Sequence, residues 1–171
     1  EYTLSFSADP FDCWCQTNVP NFTVFVPDPL DVGVNVRVAA ALAGALPSGT
    51  LMSDGLRAQG LVPPYEPYTA MGYSYVGSSS GGTVDPTVLT VTGSMAAVDW
   101  VVVELRSSNS PYAVSACRPA LIRRDGEVID LDGDAYVNFS GLAAGSYRIA
   151  LRHRNHLGVM TSTAHSLGFI P

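Results

Sequence analysis

Leu121-Ile122-Arg123-Arg124-Asp125-Gly126-Glu127-Val128-Ile129 is the stretch whose reading decides the fold. Apolar, β-branched runs flank an Asp-Gly pair, a strong hairpin signal. A type I′ turn needs positive φ at both central positions, and Asp-Gly supplies it. Outward from this hairpin, runs at 88–92, 98–106, 112–123, 127–131, 136–139 and 147–154 are each bounded by Gly, Pro, Asn or Asp. Six strands at that spacing predict an all-β chain, an immunoglobulin-like or related antiparallel β-sandwich.

Nearer the start, Val32, Val34, Val36 and Val38 alternate with Gly33, Asn35 and Arg37, the pattern of a half-buried strand. Gly44 and Pro47 leave little room for a helix over 39–46, so the strand is expected to continue there. Residues 51–60 predict the one short helix, capped by Ser53 and stopped by Gly60. Pro63, Pro64 and Pro67 then force an irregular connection, and 77–82 is a Ser-Gly loop tip. No repeat of 20 to 50 residues is present, which argues against solenoids and propellers.

Residues 1–31 differ from the rest and read as an extended N-terminal arm before a sandwich module at 32–171. Tyr2, Leu4 and Phe6 fall at every second position, so a strand places them on one face. Residues 21–26 offer a second such segment. Pro10, Pro20, Pro27 and Pro29 suit edge or extended placement rather than a central strand.

The chain has 171 residues, enough for one domain with a substantial core. It is 47% hydrophobic and only 14% charged, against a usual charged share of about a quarter. A surface so poor in charge is covered by Ser, Thr, Gly and Asn, as in many extracellular β-proteins. All nine basic residues are arginine. The absence of lysine excludes a Schiff base, a P-loop lysine and a lysine–asparagine cross-link. A net charge of -6 argues against nucleic acid as partner, because phosphate binding needs a basic face. No apolar run reaches the roughly 18 residues of a membrane span; the longest candidate is 38–46. If the chain is exported, Glu1 is a processed start.

Three cysteines, Cys13, Cys15 and Cys117, allow one intrachain bridge. Cys13 and Cys15 are too close in sequence to pair comfortably, so Cys117 is expected to pair with one of them, leaving one thiol to reach another subunit. His153-Arg154-Asn155-His156 is the most suggestive polar cluster. Arg152 and Arg154 would repel a cation, and in a continuous strand residues 153 and 156 point to opposite faces, so hydrogen-bonded residues closing the last hairpin are expected. Asp130, Asp132 and Asp134 stand at alternate positions like the start of a calcium loop, but position twelve is Gly141 where a glutamate should be. A turn with solvated acids is the expectation, with a looser calcium site as the alternative; no other cofactor is implied. Trp100 reads as core, Asp99 as a partner for an arginine, and Glu104 as facing away from Val101, Val103 and Leu105. No nucleophile with a base is recognisable, so no enzymatic activity is expected. Asn21 and Asn138 match the glycosylation acceptor pattern.

Residues 51–57 (Leu-Met-Ser-Asp-Gly-Leu-Arg), 60–63 and 66–68, then 98–106 (Val-Asp-Trp-Val-Val-Val-Glu-Leu-Arg), Arg124-Asp125-Gly126 and 153–160 (His-Arg-Asn-His-Leu-Gly-Val-Met) carry a resemblance. Over roughly 34–165 the chain resembles a β-rich module of large secreted, adhesin-like surface proteins of Bacteroidota exported by the type IX route. The resemblance implies an extracellular or cell-surface location and no enzymatic activity. The expected function is a structural subunit of an extracellular filament or surface layer. Its arm, through Tyr2, Leu4 and Phe6, would add a strand to a neighbouring copy's sheet, or would instead fold back on its own sheet. The alternative is an adhesive or carbohydrate-binding module that stacks surface glycans on exposed Tyr65, Tyr68, Tyr73 and Tyr75.

Overall fold

The computed structural model describes residues 33–46, 50–77 and 81–168. The expectations for Tyr2, Leu4, Phe6, Cys13, Cys15 and Asn21 lie outside the described residues. The chain is an all-β antiparallel sandwich, as the turn spacing predicts. Its strands are β1 (Gly33–Val36), β2 (Val38–Ala39), β3 (Ala97–Ser107), β4 (Val114–Arg123), β5 (Glu127–Ile129), β6 (Val137–Ser140), β7 (Gly145–His153), β8 (His156–Met160) and β9 (His165–Leu167). β1 pairs with β6 in a small sheet. The larger sheet runs β2-β5-β4-β3-β7-β8, and β9 also pairs with β7.

The hairpin at 121–129 forms, with Leu121 opposite Ile129 and Ile122 opposite Val128. Its turn is not type I′. Gly126 has φ +92°, no positive φ occurs at Asp125, and the Gly126 amide donates to Arg123 O at 2.9 Å. This is a turn closed by one left-handed glycine, the alternative for a three-residue loop. A Cβ at Gly126 would also lie 2.7 Å from Ala40 O, so both φ and space select glycine.

The alternation read as one strand over 32–38 divides between the sheets. Val34 and Val36 pair with β6, and beyond Arg37 the chain joins β5 as β2. Strand does not continue through 39–46: Ala40 gives its amide to Gly126 O, β5 offers nothing further, and Ala43–Ala45 closes into a 3₁₀ turn. Among the described residues two short α-helices occur where one was expected. The first, α1 (Gly55–Ala58), lies within 51–60 and ends at Gly60 with φ +68°. The second, α2 (Pro86–Thr90), replaces the strand expected at 88–92. There Asp85 accepts the Thr87 amide at 2.8 Å and Pro86 opens the helix, and this local capping overrides the apolar run.

Both faces of the large sheet are covered at its centre. Val101, Val103 and Leu105 of β3 meet Val34, Val36, Val137 and Phe139 of the small sheet. On the other face Trp100 and Val102 lie under Val62, Tyr68, Val84 and Val88 from the connection between β2 and β3. Each such side chain contributes about 1.5–3 kcal/mol by leaving water. This two-sided burial explains the nearly unbroken apolar run of β3, whereas a half-exposed strand would alternate. Pro119 sits in β4 without cost to the ladder. β5 reaches only Leu121 and Ile122, and on the same edge Cys117 gives its amide to Val76 O, not to a strand.

Candidate functional site

The turn at Arg154-Asn155 folds β8 back on β7 and sets His153 opposite His156. The two rings, expected on opposite faces of a continuous strand, therefore meet, with Nδ1 atoms 2.8 Å apart. His153 Nε2 lies 3.2 Å from Asp99 Oδ2. A carboxylate only accepts, so Nε2 carries the proton. His153 Nδ1 is then the acceptor for the Asn155 amide at 3.2 Å and for His156 Nδ1–H. Of the lone pairs of this imidazole pair, only that of His156 Nε2 is left, which is too little for the two rings to share a metal ion. The expected arginine partner of Asp99 is Arg154, whose Nη2 lies 2.9 Å from both carboxylate oxygens. Burial acts to raise the pKa of Asp99, but the bonds from His153, the Trp100 amide and Arg154 outweigh it and hold the carboxyl below its ordinary value.

Glu104, on β3, does face away from Val101, Val103 and Leu105, and is buried. Arg106 reaches its Oε2 at 2.5 Å, and Arg152 and the Tyr73 hydroxyl share its Oε1. The two buried acids thus fix β7 and its turn to the centre of the sheet. A cleft of about 330 Å³ opens beside them, lined by Tyr68, Met71, Tyr73, Arg152, His153 and His156 among others.

The opposite side of β7 faces a more apolar cleft, of about 430 Å³. Val38, Ala39 and Ala40 form one wall, and Ile149, Leu151, Val159 and Met160 the other. Val38 and Ala39 come from the edge strand β2, Val159 and Met160 from the edge strand β8, and Ile149 and Leu151 from β7 beside it, so the cleft brings the two edges of the large sheet near each other. Where β1 passes β9 the gap is bridged by the Asn35 amide on Gly168 O at 3.1 Å. Farther along, β2 and β8 are not paired. Leu157 of β8 is 94% exposed, Val159 60% and Met160 41%. An edge strand with exposed apolar side chains is a template for another strand, which sheet proteins ordinarily blunt with charge or proline.

The remaining candidates are occupied in other ways. Asp130 Oδ1 accepts from Arg118 at 2.9 and 3.1 Å and its Oδ2 from the Asn138 amide at 3.1 Å, so it ties β4 to β6. Asp132 and Asp134 each accept the amide two residues on. The three carboxylates do not converge on one point, and among the described residues no group of three or more His, Cys, Asp or Glu is placed to hold a metal. Asn138 gives its Nδ2, the atom a glycan would need, to Asn35 Oδ1 at 2.7 Å. Cys117 is buried, with its Sγ against the Val76 amide at 3.0 Å; among the described residues it is a free thiol.

Of the four tyrosines expected as exposed platforms, only Tyr65 is exposed. Tyr68 is buried, its hydroxyl donating to Trp100 O at 2.7 Å, and half-buried Tyr73 and Tyr75 donate to Glu104 and Glu66. Aromatic character alone does not tell a binding platform from a cover over a second core. The cover is rich in such residues because a tyrosine fills space and still satisfies a buried acid. Gly77-Ser78-Ser79-Ser80-Gly81 spells a nucleophile-elbow pattern, but no strand leads into it and no helix follows directly, as that motif requires. The cleft between β2 and β8 had no signal of its own in the sequence; the exposed apolar run Leu157, Val159, Met160 was the available clue.

No family model, no curated protein and no solved structure matches this chain.

Proposed function

We propose that this protein is a structural subunit of an extracellular filament or surface layer, assembled by strand exchange between copies. The observation that carries the reading is the β8 edge, unpaired among the described residues, with Leu157 exposed on it and Val159 and Met160 exposed along a cleft whose far wall is another strand edge. Backbone pairing along such an edge supplies affinity, and alternate side chains filling the cleft set register. Donation from one copy to the next does not close on itself, so it generates fibres. The extracellular setting rests on the charge-poor composition and on the resemblance to secreted surface modules.

The test is electron microscopy and a non-reducing gel on the full chain and on a variant with Tyr2→Ser, Leu4→Ser and Phe6→Ser. Filaments or oligomers that vanish in the variant are expected. A full-length chain that remains monomeric at all concentrations sinks the reading.

A further inference from the structure

We infer that the cleft between β2 and β8 is the acceptor site for residues 2–6 of a second copy, inserted antiparallel to β8. This inference rests on the subunit reading and adds the receptor, the orientation and the electrostatic basis.

Three features select this occupant. The first is length and pattern. Tyr2 to Phe6 and His156 to Met160 are both five-residue stretches, each about 13 Å of strand. Tyr2, Leu4 and Phe6 on one face match a wall made of Ile149, Leu151 and Val159.

The second is charge. The arm, residues 1–31, contains Glu1, Asp9, Asp12, Asp28 and Asp31 and no arginine or histidine, so it carries most of the net charge of -6. From residue 135 onward the chain has no acid at all but has Arg148, Arg152, Arg154 and all three histidines. Arg152 and Arg154 are offset by Glu104 and Asp99. Arg148 instead bonds the carbonyls of Thr161 and Ser162 and stacks on Tyr112, 4.5 Å from the ring centroid. Those groups lie on the other face of β7; the basic side chains that line the cleft itself are Arg37, which also pairs with Glu127, and His165. The donor stretch 2–6 is uncharged but preceded by Glu1, so one acid enters beside two basic groups.

The third is direction. Every neighbouring pair in the order β2-β5-β4-β3-β7-β8 is antiparallel, so the six strands alternate and β2 and β8 run in opposite senses. One inserted strand is antiparallel to one edge and parallel to the other. β8 offers five residues against two in β2, and antiparallel pairing is the slightly stronger kind, which assigns the antiparallel side to β8.

The test uses two full-length variants, Leu4→Asp to disable the donor and Val159→Glu to disable the acceptor. Val159 is 60% exposed, so Val159→Glu is expected to keep the wild-type unfolding midpoint, checked in parallel. Each variant alone should be monomeric by light scattering. Mixed, they should form a 1:1 dimer and stop there, because the intact arm of one fills the intact cleft of the other. That dimer should dissociate as salt is raised. If wild type and Leu4→Asp behave as the subunit reading requires but Val159→Glu still assembles, the acceptor lies elsewhere and this inference is overturned alone. A mixture that stays monomeric overturns it as well. A monomeric wild type overturns both, and loss of stability on Val159→Glu in such a monomer would place the arm in its own cleft.

Discussion

The centre of the large sheet and its β8 edge are neighbours built to opposite specifications. At the centre, residues 97–105 of β3 are all buried, and both acids among them are saturated with partners: Asp99 by Arg154 and His153, Glu104 by Arg106, Arg152 and Tyr73. Two strands away, β8 exposes most of its side chains, and among the described residues one of its edges is unpaired. The contrast teaches that the stability of this protein is concentrated in β3, β4 and β7. Among the described residues β8 is thus held by strand pairing from one side only, the condition that the proposed acceptor role requires.

The contrast breaks most visibly at Glu104. Glu104→Ala leaves two arginines and a tyrosine hydroxyl facing a buried void, and a loss of about 3–5 kcal/mol is expected from denaturant titration. A loss below about 1 kcal/mol would mean that water replaces the carboxylate and that the centre is wetter than the burial indicates.

Asp99 sharpens the comparison through pH. Its folded-state pKa is lowered, so its contribution is fully present above the unfolded carboxylate value of about 3.9 and is lost as pH falls through the folded pKa. Asp99→Asn should therefore cost about 1.5–3 kcal/mol near neutrality. The gap between wild type and variant should narrow below about pH 4 in the same denaturant assay. A gap that stays constant to pH 2 would show that geometry, not charge, is what Arg154 and His153 read.

The smallest effect on folding belongs to the edge. Leu157→Ser should change stability by no more than about 0.5 kcal/mol, since the side chain is 94% exposed, while weakening self-association in sedimentation velocity. If it instead lowers the unfolding midpoint and leaves association unchanged, β8 is part of the folding core and the division proposed here fails.

Much of the centre was legible in the residues. The runs around Trp100 and Leu121, the Asp125-Gly126 turn and the opposite facing of Glu104 follow from period-two alternation and turn chemistry, which act over a few residues. The errors fell where local signals competed. Asp85-Pro86 capped a helix inside an apolar run, and Arg37 carried one alternating segment from one sheet to the other. β8 and β9 were not distinguished at all, because their mixed exposure gives no clean period.

The sequence by itself determined an all-β chain, its main strands and a net acidic charge, because propensity, turn residues and composition are local or additive properties. Only the tertiary structure decided that His153 meets His156, that Asp99 and Glu104 bind arginines about fifty residues away, that Tyr68 is covered, and that β2 and β8 face each other across a cleft. Those outcomes depend on strand order and on how far the sheet curls. Both are set by the sum of many long-range contacts, and neither is written in any short stretch of residues.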